Sequence, residues 1–259
     1  MNNNPIGIFD SGLGGISVLR EMKKILPCEN YIYMGDSKNA PYGTKLTSEV
    51  YELSKHWVEY FLERNAKAIV IACNTATSAA AARLRKLYTD IPIIGLEPAL
   101  KPAATKYADT GKKILVLATE LTLREDKFQH LLHQYSDKAE ILLLPAPGIV
   151  ELVEADKADS EEMLSYIENL LSPYIVKNIS GVVLGCTHFP FAKWAIKKVL
   201  GENVEFFDGA EGAAREVLHQ LKLHDTLSSS TTPGTIELLN SSDDPDKIDL
   251  SQRLLNTVE

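Results

Sequence analysis

Eight short runs rich in apolar and β-branched residues alternate along the chain with longer amphipathic stretches, an order that leaves few architectures open. The runs are 6–9 (IGIF), 31–34 (YIYM), 68–73 (AIVIAC), 91–96 (IPIIGL), 113–118 (KILVLA), 140–144 (EILLL), 181–186 (GVVLGC) and 204–207 (VEFF). Lacking the in-out polar alternation of a half-solvated strand, they read as strands buried on both faces. Helical periodicity fills the intervals at 15–25, 47–64, 75–89, 122–135, 160–178, 190–200 and 209–221. Strands and helices in that order predict an α/β fold with parallel sheets under helices. Thr122 with Glu125, and Asp159 with Glu162, have capping-box spacing, and Pro173 predicts a kink in the 160–178 helix. The polar segment 224–235 reads as a surface appendage before a last strand near 236–239 and a short helix in 245–256.

Composition narrows the function classes. The chain has 259 residues, 45% apolar and 24% charged, which fits one large or two small globular domains and excludes disordered and fibrous classes. Its 27 Lys and Arg against 35 Asp and Glu give a net charge of −8, which argues against nucleic acid, a ligand bound largely through clustered basic residues. Apolar runs such as 68–73 and 141–147 fall far short of the ~20 residues of a membrane span. Met1–Pro5 carries no basic, apolar leader, so the expectation is a cytoplasmic protein with neither membrane nor nucleic-acid partner. Three widely spaced cysteines, Cys28, Cys73 and Cys186, predict reduced thiols rather than a disulfide framework.

Two of those thiols occupy equivalent places. Run 68–73 ends in Ala72-Cys73-Asn74-Thr75 and run 181–186 ends in Gly185-Cys186-Thr187-His188, each followed by a helical pattern. Ligands of open α/β sheets bind beyond the carboxyl ends of the strands, so two similar halves would each present one thiol to a shared cleft. Asn74, Thr75 and Thr77 surround the first thiol with an amide and hydroxyls, and His188 stands two residues beyond the second, where it can share a proton with it. The alternatives are an ordinary buried cysteine, Thr75 as a plain helix cap, and Cys and His as metal ligands, although paired short-spaced ligands are missing.

A third motif, Phe9-Asp10-Ser11-Gly12-Leu13-Gly14-Gly15, runs from a strand into a glycine-rich turn and a helix, a ready anion site. It also imitates a dinucleotide fingerprint, Gly12-x-Gly14-x-x-Ser17, with Asp36 as the ribose-binding acid. Ser17 in place of the third glycine, and the Asp10 carboxylate beside the phosphate position, count against that reading. Asp10 alone reads as a turn or capping residue, Pro41-Tyr42-Gly43 as a turn and Glu154 as a solvated glutamate. With no convincing nucleotide or metal motif, the chemistry left to two opposed thiols is proton abstraction from carbon on one face and delivery on the other.

The motifs Ile6–Gly15, Pro41-Tyr42-Gly43, Ala72–Thr77 and Leu184-Gly185-Cys186-Thr187-His188-Phe189-Pro190 closely resemble the glutamate racemase family, in order and spacing over nearly the whole chain. Ile94-Gly95-Leu96-Glu97-Pro98 and Asp208-Gly209-Ala210 add weaker agreement. The resemblance implies two pseudo-symmetric three-layer α/β domains with mainly parallel sheets, residues 1–98 with 209–259 and residues 99–208, and an active site in the cleft between them. It implies interconversion of L- and D-glutamate without cofactor or metal, supplying D-glutamate for peptidoglycan, and it implies a homodimer. Cys73 and Cys186 become the two acid/base residues, assisted by Asp10, His188 and Glu154. Ser11, Pro41, Tyr42, Gly43, Asn74, Thr75, Thr119, Thr122 and Thr187 become substrate contacts alongside Asp10, Cys73, Cys186 and His188.

The chain departs from the family pattern at Pro145–Glu154, where the Leu152-Val153-Glu154 match selects Glu154 with Glu151 as the fallback, and again over Thr122–Phe128. Aspartate or a related acid as substrate is one alternative, because a single methylene discriminates by only about 1–3 kcal/mol. A non-catalytic glutamate-binding protein is another. Cys28, which follows Pro27 between a helical pattern and a strand, reads as structural.

Overall fold

The apolar runs form strands, and their ends fall where the chemistry-bearing residues begin. A computed structural model describes residues 3–257. The first sheet contains β1 (Ile6–Asp10), β2 (Tyr31–Gly35), β3 (Ala68–Ile71), β4 (Ile93–Gly95) and β9 (Ile236–Asn240), in the order β4-β3-β1-β2-β9. The second contains β5 (Lys113–Ala118), β6 (Glu140–Pro145), β7 (Ile179–Gly185) and β8 (Glu205–Phe207), in the order β6-β5-β7-β8. Every pairing in both sheets is parallel. The chain divides into two units, one of the residues up to Leu96 together with those from Ala210 onward, the other Glu97–Gly209.

Burial follows position in the sheet. β1, β2 and β3 are buried throughout, and β5 is buried from its second residue, as expected of strands covered on both faces. The same expectation fails for the edge strands β6 and β8, which are half-buried or exposed with one flank open, and β9 at the edge of the first sheet is half-buried too, whereas the edge strand β4 stays buried at Ile93 and Ile94. In the first unit the core joins Phe9, Ile69 and Ile71 to Val50, Trp57, Val58 and Phe61 of the helix Thr47–Glu63. In the second it joins Ile114, Val116 and Val183 to Leu100, Ala103 and Tyr107.

Several local expectations need correction. The 75–89 helix is a run of three segments, Asn74–Ala76, a π turn at Thr77–Ala81 and Ala82–Leu87. The 122–135 helix is two helices, Glu120–Arg124 and Asp126–Tyr135, parted at Glu125, whose ψ of 135° is extended. Its cap is Thr119, which accepts the Thr122 N–H, so Thr122 is not a cap. Likewise Ser160, not Asp159, caps the helix Glu161–Leu171 by accepting the Met163 N–H. Pro173 does not kink that helix, which ends at Leu171 and gives way to a 3-10 turn, Ser172–Lys177. Two further helices, Leu100–Tyr107 and Pro147–Glu154, lie outside the intervals of helical periodicity.

The segment 224–235 is bound into the fold rather than appended to it. Lys67 Nζ and Glu29 Oε2 form an ion pair at 2.5 Å with both side chains 2% exposed. Lys67 also donates to Thr226 O at 2.9 Å, and the Ser228 N–H donates to Glu29 Oε1 at 2.7 Å. A Cβ at Gly234 would lie 1.9 Å from Glu29 O, so only glycine allows that approach. The clamp delivers β9 to its parallel place beside β2. Among the described residues, no helix is long and apolar enough to cross a membrane.

Candidate active site

In each sheet the chain reverses its winding direction beside the first strand, and the candidate residues stand at those reversals. In the first, β1 leads to β2 on one side while β3 lies on the other, opening the crevice where α/β ligands bind. Phe9 is in register with Ile71, so Asp10 and Cys73 emerge from the ends of neighbouring strands. The second repeats the plan with β5 between β6 and β7. There Ala118 is in register with Gly185, so Thr119 and Cys186 follow side by side.

Asp10 is fully buried, and its Oδ1 accepts the Gly12 N–H at 3.1 Å, folding the glycine-rich turn over the strand end. A Cβ on Gly15 would come within 2.6 Å of Asp10 Cβ and 3.1 Å of Ala72 Cβ, which explains glycine at the head of helix Ile16–Ile25. Ser11 is half-buried beside this turn. Cys73, 6% exposed, is itself the helix cap, its Sγ accepting the Ala76 N–H at 3.4 Å. Thr75 is therefore not the cap, and it is buried.

Asn74 is buried, and its amide oxygen has no hydrogen-bond partner. An unpaired buried acceptor costs about 1–3 kcal/mol unless something supplies a donor. Thr77 is one of the hydroxyls that follow Cys73 in the sequence, and it is buried. Its Oγ1 donates to Ile71 O at 3.1 Å and accepts the Leu96 N–H at 3.0 Å, bracing the ends of β3 and β4 behind Cys73. Asp36 is fully buried just past β2 and accepts from Tyr42, Asn39 and Ser241, so its oxygens serve the chain's own donors instead of a ribose. Tyr42 is buried, Gly43 half-buried and Pro41 exposed, after a cis Ala40–Pro41 bond.

The second unit assembles a continuous relay. Cys186 Sγ lies 3.7 Å from His188 Nδ1, and His188 Nε2 lies 2.8 Å from Glu154 Oε1. Glu154 ends the helix Pro147–Glu154, one of the two helices outside the periodic intervals, and so the structure places Glu154, not a solvated glutamate, against the imidazole. Glu151 is exposed. Burial by itself favours the neutral ring of His188, but hydrogen bonds and charge from Cys186 and Glu154 outweigh it and hold its pKa well above the ordinary histidine value. An imidazolium there donates at both nitrogens, fixing its orientation between carboxylate and sulfur. Thr187 is buried beside it, and the Thr119 hydroxyl donates to Thr122 Oγ1 at 2.9 Å, Thr122 being fully buried. Cys28 lies half-buried away from these residues' strand ends, between Leu26 and β2. Among the described residues no group of three or more His, Cys, Asp and Glu is arranged to hold a metal ion.

Fold and site together define an α/β protein with a thiol past the sheet reversal of each unit and a hydrogen-bonded histidine and glutamate behind one of them. Residues 6–217 match the family described as Asp/Glu/Hydantoin racemase, and the chain belongs to that family. It is 48% identical to a glutamate racemase of Clostridium perfringens over 255 residues, 98% of this chain and 97% of that protein. Among solved structures it is similar to the Escherichia coli glutamate racemase in complex with L-glutamate and the activator UDP-MurNAc-Ala, with 31% identity and a TM-score of 0.84. That match covers 97% of this chain and 95% of the other. It is also similar to the Francisella tularensis glutamate racemase in complex with D-glutamate, with 26% identity, a TM-score of 0.83 and coverage of 99% and 95%.

Proposed function

We propose that the protein is a glutamate racemase that inverts the α-carbon by two-base proton transfer between Cys73 and Cys186. The observation that carries the reading is the repeated placement of a thiol just past a β-strand at the sheet reversal, Cys73 after β3 and Cys186 after β7. The 48% identity to a named glutamate racemase over nearly the full length supports glutamate as the substrate, ahead of aspartate.

The chemistry follows from the residues. One sulfur, as thiolate, takes the α-proton and becomes a thiol, while the other, as thiol, delivers its proton to the opposite face of the carbanion and becomes a thiolate. The product is the mirror image, the enzyme is left with its two thiols in exchanged protonation states, and the reverse reaction restores them. His188, tied to Glu154, holds a proton next to Cys186 and steadies the charge that appears there. Asp10, at the neighbouring strand end, assists Cys73. Ser11, Pro41, Tyr42, Gly43, Asn74, Thr75, Thr119, Thr122 and Thr187 make up the binding set. In it the unpaired Asn74 oxygen accepts an N–H from the substrate ammonium. Neutral hydroxyls and amides bind carboxylates without adding a fixed cation beside the sulfurs.

The test is to follow optical rotation with the purified protein and no added cofactor, using L-glutamate and L-aspartate separately. Decay of the glutamate signal alone agrees with the proposal. Equal turnover of aspartate replaces the substrate assignment, and inertness toward both removes the catalytic reading.

A further inference from the structure

Asp36 takes no part in the proton transfers, yet it is a fully buried carboxylate at the edge of the proposed binding set. Burying a charge is costly unless hydrogen bonds replace its water. Here they do, from three separate segments. The Tyr42 hydroxyl donates to Oδ2 at 2.5 Å, and Ser241 Oγ donates to Oδ1 at 2.6 Å. Asn39 Nδ2 reaches both oxygens, at 2.9 and 3.1 Å. The Asp36 N–H meanwhile donates to Asp10 O at 2.9 Å.

Each donor has a different origin. Tyr42 belongs to the Pro41–Gly43 turn, and Asn39 to the 3-10 turn Ser37–Asn39 before it. Ser241 follows β9, about two hundred residues away, and is anchored there by its own N–H donating to Gly35 O at 2.9 Å. The Lys38 N–H donates to Ser241 Oγ at 3.1 Å, and Asn240 Nδ2 donates to Ser37 Oγ at 2.9 Å, so the loop after β9 and the turn after β2 are laced together. Burial, followed by the charge and hydrogen bond of Asp36, pushes the Tyr42 phenol far above its ordinary range, which keeps Tyr42 a donor. Charge-assisted bonds are short and directional, and a small displacement of a binding group is expensive in a reaction that needs exact placement.

We propose that Asp36 is a positioning residue, holding the Pro41–Gly43 turn in its binding position through Tyr42 and coupling that turn to the C-terminal segment through Ser241. The inference rests on the racemase reading and adds a residue to it that touches no substrate.

The experiment measures KM and kcat for glutamate racemisation, and the Kd of D-glutamate by calorimetry, in wild type, Asp36→Asn, Tyr42→Phe, their double variant and Ser241→Ala. Asp36→Asn is expected to raise KM and Kd about tenfold, the scale of one charge-assisted hydrogen bond, with kcat held within about twofold. The double variant should be no worse than the poorer single variant, because both remove the same link. Ser241→Ala should raise KM a few-fold. A merely structural Asp36 would lower the melting temperature while the folded fraction kept its KM and Kd. Unchanged KM and Kd in folded Asp36→Asn, an equal fall of kcat, or an additive double variant each overturn the proposal. If Asp36→Asn does not fold, the Tyr42→Phe and Ser241→Ala pair decides, since coupling through one carboxylate requires non-additive KM changes. A wild type that binds glutamate without turnover refutes the racemase reading and leaves the Kd series to judge Asp36. A wild type that does neither refutes both.

Discussion

Replacing Glu154 with Gln isolates what the carboxylate does for His188. The amide keeps the size of the side chain and still accepts from Nε2, so the 2.8 Å contact survives while the charge is lost. A hydrogen bond to a charged group contributes about 1.5–3 kcal/mol and a neutral one about 0.5–1.5, a difference of roughly 1–1.5 kcal/mol. Glu154 is 16% exposed against 2% for His188, and partial screening by water places the expected loss toward the lower end of that range. The ratio of imidazolium to neutral ring at a given pH should therefore fall by roughly fivefold, and His188 should deprotonate at lower pH than in wild type.

The sign follows from the raised folded pKa of His188. Its pairing stabilises the fold fully below the ordinary value of 6.5 and is lost as pH rises through the folded value. Glu154→Gln should lose stability from above the carboxylate range upward, the difference closing only as pH rises through the raised folded pKa of His188, and the alkaline limb of its rate profile should move to lower pH. Enantiomers have equal free energy, so kcat/KM must drop by the same factor in both directions, and any asymmetry appears only in kcat and KM separately. The assays are an NMR titration of the His188 ring and polarimetric rates across pH. An unmoved His188 titration in the variant refutes the reasoning.

Cys73→Ala and Cys186→Ala should each abolish racemisation, and Cys28→Ala should leave it within about twofold of wild type, all measured by polarimetry. Asn74→Ala should raise KM for glutamate several-fold with a smaller change in stability, because it deletes an acceptor left unpaired in the free protein; an unchanged KM removes Asn74 from the binding set. Lys67→Met strands the buried Glu29 carboxylate and should cost about 3–5 kcal/mol in urea unfolding, while adding Glu29→Leu should recover much of the loss. A single-variant loss below about 1 kcal/mol would contradict the clamp.

The central strands were legible because their burial leaves a continuous apolar signature, as in β1 and β3. The helices Leu100–Tyr107 and Pro147–Glu154 are eight residues each with a proline in the first turn, Pro102 and Pro147, too short to leave a clear period in the sequence although the first turn tolerates proline. Caps were misplaced because Thr119 and Thr122, or Asp159 and Ser160, offer equivalent oxygens, and only backbone geometry selects one. The thiols and His188 stood out by local spacing, whereas the pairing of Glu154 with His188 spans 34 positions and has no periodic trace; only the family resemblance selected it. Asp36 was visible as an acid after a strand, but its partners Tyr42 and Ser241 lie 6 and 205 positions away, so its role is set by tertiary structure alone.

The most direct test of the two-thiol account is to start the wild-type protein on L-glutamate in D₂O and read deuterium at the α-carbon of both enantiomers during the first few per cent of reaction. The account predicts that the newly formed D-glutamate is deuterated while the remaining L-glutamate keeps its α-proton, because one thiol removes hydrogen and the other delivers deuterium. Early D-glutamate that retains the original hydrogen, or L-glutamate that exchanges as fast as it inverts, would mean that one base works on both faces and would contradict it.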